Sequence, residues 1–236
     1  MKKFEEIFPR GLIVSCQARE GEPLFSSDII ARMAWCAAIG GAIGIRANTP
    51  EDIRAIRQVV SLPLVGIYKI KTEGYEVYIT PSFEAAKAIA EAGADVIAVD
   101  ATDRARPKGE TLASLFRRIH DELDRPVMAD CSTLEEGMKA RELGADAVAT
   151  TLAGYTPYSR HTEEPDYEIL EKLVQNLDIP IIGEGRFFYP EQATRVLKLG
   201  AYAVVVGTAI TRPQDITARF VDSMNKTLQE KGGKLF

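Results

Sequence analysis

Short apolar runs recur along the chain, and each is followed by a stretch with the periodicity of an amphipathic helix. Continuous apolar runs of this length are typical of parallel strands that are buried on both faces. Most of the runs close on a polar or charged residue. The eight runs begin at positions 11, 42, 63, 95, 126, 146, 181 and 203. The pattern therefore predicts an α/β protein in which eight strands alternate with helices.

Internal repeats support this count. The helix end and strand start at Ala92-Gly-Ala-Asp-Val-Ile recurs at Leu143 and Leu199, with a looser copy at Ile39. Each repeat holds two strand–helix units, so four repeats give eight, which is the pattern of a (β/α)8 TIM barrel. An open doubly wound sheet is the alternative, but it needs no such fourfold regularity. We predict a single barrel domain over residues 1–236, with a C-terminal helix from about residue 215.

Local signals place several element ends. Thr49 and Pro50 predict a helix start, with threonine as the N-cap and proline at the first helical position. The stretch Ser132-Thr-Leu-Glu135 fits a capping box and predicts another. Residues 70–79 are predicted to form a connecting loop. The chain after the last helix is predicted to fray.

Composition excludes several classes of protein. Of the 236 residues, 46% are hydrophobic and 27% are charged, as in ordinary soluble proteins. A net charge of −5 does not indicate the excess of basic residues that is typical of nucleic-acid-binding proteins. No apolar run reaches the roughly 20 residues that cross a bilayer. The first residues lack the apolar core of a signal peptide, and three scattered cysteines suggest a reducing compartment. We therefore predict a cytoplasmic protein with neither nucleic-acid nor membrane partners.

Catalytic groups of such barrels lie where the strands end. Charged residues at the ends of apolar strands need partners or a ligand. A set of structural ion pairs, for instance Lys69 with Glu184, is the alternative to a catalytic site. The acid–base candidates are Lys69, Glu184, Asp130 and Asp100. The predicted strand ends hold Gln17, Arg46, Lys69, Asp100, Asp130, Thr150, Thr151, Glu184, Gly207 and Thr208.

Metal and cofactor signals are absent from the sequence. The two histidines, His120 and His161, do not lie at strand ends, so a catalytic zinc or iron site is not expected. No Gly-x-Gly-x-x-Gly motif follows a strand, which leaves dinucleotide binding unsupported. We predict no metal and no cofactor.

Glycine turns after the last two strands suggest an anion site. Gly183 and Gly185 bracket Glu184, and Gly207 ends the eighth run. Glycine lets backbone N–H groups approach an anion, and this part of a barrel often binds phosphate. Arg212 lies just beyond and can add positive charge. The alternative is that these glycines only turn the chain.

Another loop, after the fourth strand, carries Arg104 and Arg106. This arginine pair is predicted either to shape the site or to form a subunit contact.

With these residues in place, the sequence resembles the N-acetylmannosamine-6-phosphate 2-epimerases of bacterial sialic acid catabolism. The resemblance covers nearly the whole chain in order. It departs from the usual pattern at Tyr68 and at Arg186-Phe187-Phe188, where such sequences often carry an aliphatic residue and a smaller or lysine-containing turn. The matching pieces include Leu12-Ile-Val-Ser-Cys-Gln17, Gly66-Ile-Tyr-Lys69, Met128-Ala-Asp130, Thr150-Thr-Leu-Ala-Gly-Tyr-Thr156, Gly183-Glu-Gly-Arg186 and Val206-Gly-Thr-Ala-Ile-Thr-Arg-Pro213.

The resemblance implies interconversion of N-acetylmannosamine 6-phosphate and N-acetylglucosamine 6-phosphate, with exchange of the proton on carbon 2 and no cofactor. It implies that Lys69 and Glu184 are catalytic. Sugar contacts fall on Gln17, Arg46 and Asp130, and phosphate contacts on Gly185, Gly207 and Arg212. Such enzymes are commonly dimeric through helices at the barrel edge, so we expect a homodimer through apolar residues of the segments 219–228 and 84–92.

The role of Lys69 stays open at this stage. It can act as a base only if its pKa falls, through burial or the charge of Arg46. Otherwise it stabilises the enolate as an ammonium, and Glu184 carries more of the proton transfer. A Schiff-base aldolase built on Lys69 is a rival hypothesis. A non-catalytic sugar-phosphate-binding barrel is a second one, which would not need both Lys69 and Glu184.

Overall fold

Eight parallel strands close into a barrel in the computed structural model, which describes residues 1–230. The strands pair in sequence order, and β1 pairs with β8 to close the ring. The predicted TIM barrel is confirmed. The strands are β1 Gly11–Cys16, β2 Gly44–Asn48, β3 Leu64–Ile67, β4 Val96–Asp100, β5 Val127–Asp130, β6 Ala147–Ala149, β7 Ile181–Glu184 and β8 Ala203–Val206.

Helices follow the strands as the alternation predicted. Two four-residue helices, α1 and α9, were not expected, because segments this short show no periodicity. The predicted frayed end, residues 231–236, lies outside the described residues. The helices are α1 Phe4–Ile7, α2 Ser27–Ile39, α3 Pro50–Arg57, α4 Phe83–Glu91, α5 Leu112–Leu123, α6 Leu134–Glu142, α7 Tyr167–Asn176, α8 Pro190–Lys198, α9 Thr208–Thr211 and α10 Pro213–Glu230.

The core has two parts, one between the strands and the helices and one inside the barrel. Branched and small side chains such as Ile13, Val65 and Ala98 fill the barrel interior. Phe4 and Phe8 of the N-terminal segment belong to the same cluster, and their rings stack at 5.1 Å. Because the interior is apolar, the buried charges gather where the strands end.

The segment after β3 differs from the prediction. β3 ends at Ile67, and Lys69 instead forms an antiparallel bridge with Ile79. The backbone N–H of Ile70 donates to the carbonyl of Tyr78 at 2.9 Å. The predicted connecting loop therefore folds back as a hairpin whose base holds Lys69. β2 also continues past Arg46, to Asn48.

The start of α6 is displaced by one residue from the predicted capping box. Thr133 is the N-cap, and its hydroxyl accepts from the backbone N–H of Glu136 at 3.2 Å. The prediction of Ser132 with Glu135 was therefore wrong by one position. The structural reason is burial, since Glu136 is only 2% exposed whereas Glu135 faces outward.

Candidate active site

A buried arginine lies at the centre of the barrel mouth. Arg46 is 1% exposed, and its two terminal nitrogens bind the two oxygens of Asp130 at 3.1 and 2.5 Å. Its Nη1 also lies 3.0 Å from Oε2 of Glu184. The pKa of Arg46 is raised, because the charges of Asp130 and Glu184 outweigh the effect of burial. One cation thus joins the ends of β5 and β7.

Two threonines after β6 fix the carboxylates. The hydroxyl of Thr151 lies 2.6 Å from Oδ1 of Asp130 and 3.1 Å from Oε2 of Glu184. It has one proton to share between them. The hydroxyl of Thr150 donates to the backbone carbonyl of Glu184 at 2.9 Å and accepts from its N–H at 3.0 Å. The position of Glu184 is therefore set through both its backbone and its side chain.

Lys69 reaches the site from the hairpin after β3. Its Nζ donates to Oε1 of Gln17 at 2.6 Å, and the amide nitrogen of Gln17 donates to Ser15 at 2.7 Å. Its backbone N–H donates to the side-chain oxygen of Asn48 at 2.9 Å. Among residues 1–230 it forms no ion pair with Glu184, whose cation is Arg46. The ion-pair alternative for Lys69 and Glu184 is thus not what the structure contains.

The environment brings the pKa values of Lys69 and Glu184 close together. Desolvation of its ammonium group among the strand ends, aided by the nearby charge of Arg46, lowers the pKa of Lys69 to about 8, although the side chain as a whole is exposed. Burial raises the pKa of Glu184 to about 7; Arg46 opposes this shift and Asp130 adds to it. An acid and a base with pKa values near neutrality are well suited to proton transfer. Such values are found most often at functional sites.

Asp100, the remaining acid–base candidate, has partners of its own. Its Oδ2 lies 2.8 Å from Nη2 of Arg104, and Thr102 donates to Oδ1 through its hydroxyl at 2.6 Å. Burial raises the pKa of Asp100. Arg104 and Arg106 both turn inward, with 11% of the Arg104 side chain and 5% of Arg106 exposed. The arginine pair therefore shapes this edge of the site rather than an outer surface.

The predicted phosphate residues lie at the ends of β7 and β8. Gly185 has φ 108°, a left-handed conformation that favours glycine. At position 207 a Cβ atom would lie only 3.2 Å from Cβ of Ser15. Arg212 is bound by two carboxylates: it pairs with Glu22, and its Nε lies 2.6 Å from Oδ2 of Asp215. The glycines keep the backbone accessible, whereas Arg212 carries intramolecular partners.

Comparison with known proteins shows to which family the sequence is similar. A family model described as "Putative N-acetylmannosamine-6-phosphate epimerase" matches residues 30–226. A "Putative N-acetylmannosamine-6-phosphate 2-epimerase" of Caldanaerobacter subterraneus subsp. tengcongensis is 55% identical over 89% of this chain and 90% of its own. A Clostridium perfringens relative of the same name is 49% identical over 92% of this chain and 98% of its own.

A solved structure is also similar. The N-acetylmannosamine-6-phosphate 2-epimerase from Clostridium perfringens superposes with a TM-score of 0.90 at 49% identity, over 92% of this chain and 94% of that one. This chain belongs to the N-acetylmannosamine-6-phosphate 2-epimerase family. The resemblance inferred from the sequence is confirmed, and with it the class of enzyme, an isomerase acting on carbohydrates.

Within this epimerase fold, five of the predicted site residues converge: Gln17, Arg46, Lys69, Asp130 and Glu184. Sequence reasoning gave no role to Thr151, although its hydroxyl contacts both carboxylates. Its position after the sixth apolar run was the only available signal. The role of Asn48 was also missed, because the pairing of its side chain with Lys69 depends on how β2 and the hairpin meet.

Proposed function

We propose that this chain interconverts N-acetyl-D-mannosamine 6-phosphate and N-acetyl-D-glucosamine 6-phosphate, with Lys69 and Glu184 as the acid–base pair. The observation that carries the proposal is the placement of the two groups at one end of the barrel, with Lys69 after β3 bound to Gln17 and Glu184 at the end of β7 bound to Arg46, where their pKa values come to about 8 and about 7. β3 and β7 stand opposite each other in the eight-stranded ring. A substrate carbon between them would be approached from two faces, as inversion of a carbon centre requires.

The proton steps follow from these pKa values. Between pH 7 and 8 the main form has an ionised Glu184 and a protonated Lys69. In the opened sugar, Glu184 takes the proton from carbon 2, and the electron pair moves to form the enolate with charge on the aldehyde oxygen. The Lys69 ammonium then gives a proton to the opposite face. The reverse reaction starts from protonated Glu184 and neutral Lys69.

The rest of the site binds and orients the substrate in this proposal. Gln17, Arg46 and Asp130 are assigned to the sugar, since Gln17 binds the proposed catalytic lysine and Arg46 binds both Asp130 and Glu184. The turns at Gly185 and Gly207, with Arg212, hold the 6-phosphate. Binding of this remote group holds the reacting carbon in place. The reaction needs no cofactor, because both the acid and the base are side chains.

The homodimer belongs to the same proposal. The helix α10 exposes Phe220 and Met224, which are 69% and 64% exposed. The large apolar residues of α4, Phe83 and Ile89, are in contrast buried against the strands, so α10 is the surface that supports association. A groove between β8, α8 and β1 is a second uncovered apolar surface, lined by Leu12, Phe187, Leu197, Val204, Val206 and Ile210. Burial of such surfaces favours association.

A cytoplasmic location is also proposed. Cys16, Cys36 and Cys131 are free thiols, which suits a reducing compartment. No helix in residues 1–230 is both long enough and apolar enough to span a bilayer.

The direct test is proton NMR of the phosphosugar with the protein in deuterated water, without added metal or nucleotide. We expect both epimers to form and deuterium to enter carbon 2. Lys69→Ala and Glu184→Gln should each lower turnover by at least about a hundredfold, the contribution of one general acid–base group. Near-normal turnover in both variants would refute the assigned pair, and a requirement for NAD or loss of activity on chelation would refute the cofactor-free reaction.

The aldolase rival is tested separately. Borohydride treatment in the presence of the phosphosugar should leave Lys69 unmodified, as judged by mass spectrometry. A trapped adduct on Lys69 would favour the Schiff-base chemistry instead.

A further inference from the structure

A buried carboxylate outside the proposed catalytic pair accepts several hydrogen bonds. Glu136, in the first turn of α6, is 2% exposed. Its Oε2 accepts from the backbone N–H of Ser132 at 2.7 Å, the hydroxyl of Ser132 at 2.7 Å and the N–H of Thr133 at 3.2 Å. Its Oε1 accepts from the N–H of Asp103 at 3.2 Å and the hydroxyl of Tyr158 at 2.7 Å. The capping box accounts for only one of these five bonds.

Neutral donors surround this carboxylate. Within the described part of the chain, Glu136 forms no ion pair; Lys139, one turn along α6, pairs with Asp103 instead. A buried charge without a counter-ion is costly unless hydrogen bonds satisfy it. The N–H donors and the N-terminus of α6 supply that stabilisation. The fold thus uses a buried anion where a neutral side chain could have capped the helix.

The donors come from three consecutive loops at the mouth of the barrel. Asp103 follows β4, Ser132 and Thr133 follow β5, and Tyr158 follows β6. The hydroxyl of Thr156 adds a further bond to Ser132, at 3.0 Å, between the last two loops. Glu136 is therefore the common acceptor for three separate backbone segments.

Two of these loops begin at a residue of the site. Ser132 lies two residues beyond Asp130, the partner of Arg46. The loop that carries Tyr158 begins next to Thr151, whose hydroxyl contacts Asp130 and Glu184. A displacement of these loops caused by a change at Glu136 would therefore also displace Asp130 and Thr151, which are only a few bonds away along the backbone.

We propose that Glu136 is a positioning residue, which fixes the loops after β4, β5 and β6 so that Asp130 and Thr151 hold Glu184 in its place beside Arg46. The inference rests on the proposed epimerase function of the same site. Glu136 does not touch the reacting groups, and it acts through the loops it joins.

The substitution Glu136→Gln exposes this role with almost no change of shape. Both carboxylate oxygens accept from a backbone N–H, that of Asp103 on one side and those of Ser132 and Thr133 on the other. A hydroxyl can turn to accept from an amide group, but a backbone N–H cannot. Either orientation of the glutamine amide therefore leaves a buried backbone donor facing another donor. One of the three loops must loosen.

Loosening should change the pH profile in a particular way. Glu184 faces Arg46, Asp130 and Lys69, and Lys69 in turn also faces Arg19. Burial is the largest cause of both shifts, upward for the Glu184 pKa and downward for the Lys69 pKa. Water entering beside Glu184, whose side chain is only 13% exposed, would weaken the first effect, whereas Lys69 is already exposed and lies on the hairpin after β3. The acid limb should therefore move to lower pH while the alkaline limb stays in place, so that the profile broadens.

The experiment compares kcat, KM and the pH profile of the wild type with three variants. Glu136→Gln should lower kcat by about tenfold to a hundredfold, the scale of a misplaced catalytic group, and should broaden the profile. Tyr158→Phe removes one bond of the five and should have a smaller effect in the same direction. Glu135→Gln is the matched control, because it removes a carboxylate charge from the same turn of α6 at an exposed position, and it should behave as wild type.

The possible results distinguish failure of the proposed epimerase function from failure of the positioning role of Glu136. A wild type without epimerase activity would refute the proposed function. If the wild type is active, the positioning role would be refuted by a Glu136→Gln variant that keeps the wild-type kcat and the wild-type width of the pH profile. The role would also fail if Glu136→Gln only lowered the amount of folded protein, with both limbs unchanged in the active fraction. Tyr158→Phe, which deletes a hydroxyl on the loop surface, keeps the test available if Glu136→Gln does not fold.

Discussion

The charge of Asp130 should set the pH optimum of the enzyme. Its carboxylate raises the pKa of both Glu184 and Lys69, so Asp130→Asn should lower both and move the whole profile to lower pH. Asparagine has nearly the same shape, and Arg46 would still have Glu184 as its counter-ion at 3.0 Å. The variant therefore removes one negative charge and leaves Arg46 one counter-ion, while the amide nitrogen of asparagine replaces one of the two oxygens that accept from Arg46.

The magnitude follows from the geometry. The carboxylates of Asp130 and Glu184 lie 2.6 and 3.1 Å from the same hydroxyl of Thr151. Two charges roughly 5 Å apart interact by about 3 kcal/mol at an effective dielectric constant of about 20. This energy corresponds to about 2 pH units. Arg46 lies between the two groups and offsets part of it, so we expect the acid limb to move by between about 1 and 2 pH units.

The assay is the pH dependence of kcat/KM, which reports the free enzyme. In the wild type, limbs at about 7 and about 8 give a narrow bell. Activity at pH 6 or 9 should fall to roughly one seventh of its value at the optimum, given a tenfold change per pH unit beyond each limb. The substrate phosphate ionises near pH 6, about equally for every variant. The difference between variants therefore reports the enzyme.

Asp100→Asn is the matched control. Asp100 is a buried carboxylate at the end of the adjacent strand, but its partner is Arg104 rather than Arg46. This variant should keep the wild-type limbs even if it is less stable. An unchanged or upward-shifted acid limb in Asp130→Asn would refute the electrostatic reasoning. An equal shift in Asp100→Asn would indicate general loosening of the site.

Three further predictions concern binding, stability and association. Arg212→Ala should weaken binding of the phosphosugar but hardly affect the unphosphorylated sugar, as measured by calorimetry; equal losses would place the phosphate elsewhere. Lys69→Met should stabilise the fold at pH 7 by about 1 kcal/mol in urea unfolding, because the lowered pKa of Lys69 makes its ammonium costly below pH 8, and solvent around the exposed side chain screens much of that cost. This gain should fade as the pH rises from about 8 to 10.5, where the unfolded chain also loses the proton; a constant gain would argue against the titration. Sedimentation should show a dimer for the wild type and the 25.9 kDa monomer for the double variant Phe220→Asp with Met224→Asp; a wild-type monomer at micromolar concentration would exclude the dimer.

The sequence alone determined the architecture and most of the charged residues that meet at the barrel mouth. Apolar runs closing on Asp130 and Glu184 were enough to place these charges at strand ends, because a parallel barrel brings all such ends to one face. Arg46 was also predicted at a strand end, but it lies in the middle of β2. The recurring glycines at helix ends indicated how many strand–helix units the chain contains. These inferences depend on local periodicity, which can be read directly from the order of the residues.

Only the tertiary structure decided which charges meet. The sequence allowed Lys69 and Glu184 to pair, yet Arg46 takes the carboxylate and Lys69 turns to Gln17. Likewise, Glu135 and Glu136 fit a capping position about equally well by spacing, and only the three loops converging on Glu136 distinguish them. Partner choice between buried charges depends on distances of a few ångströms between distant segments. Local sequence patterns do not encode those distances, and packing of the whole barrel sets them.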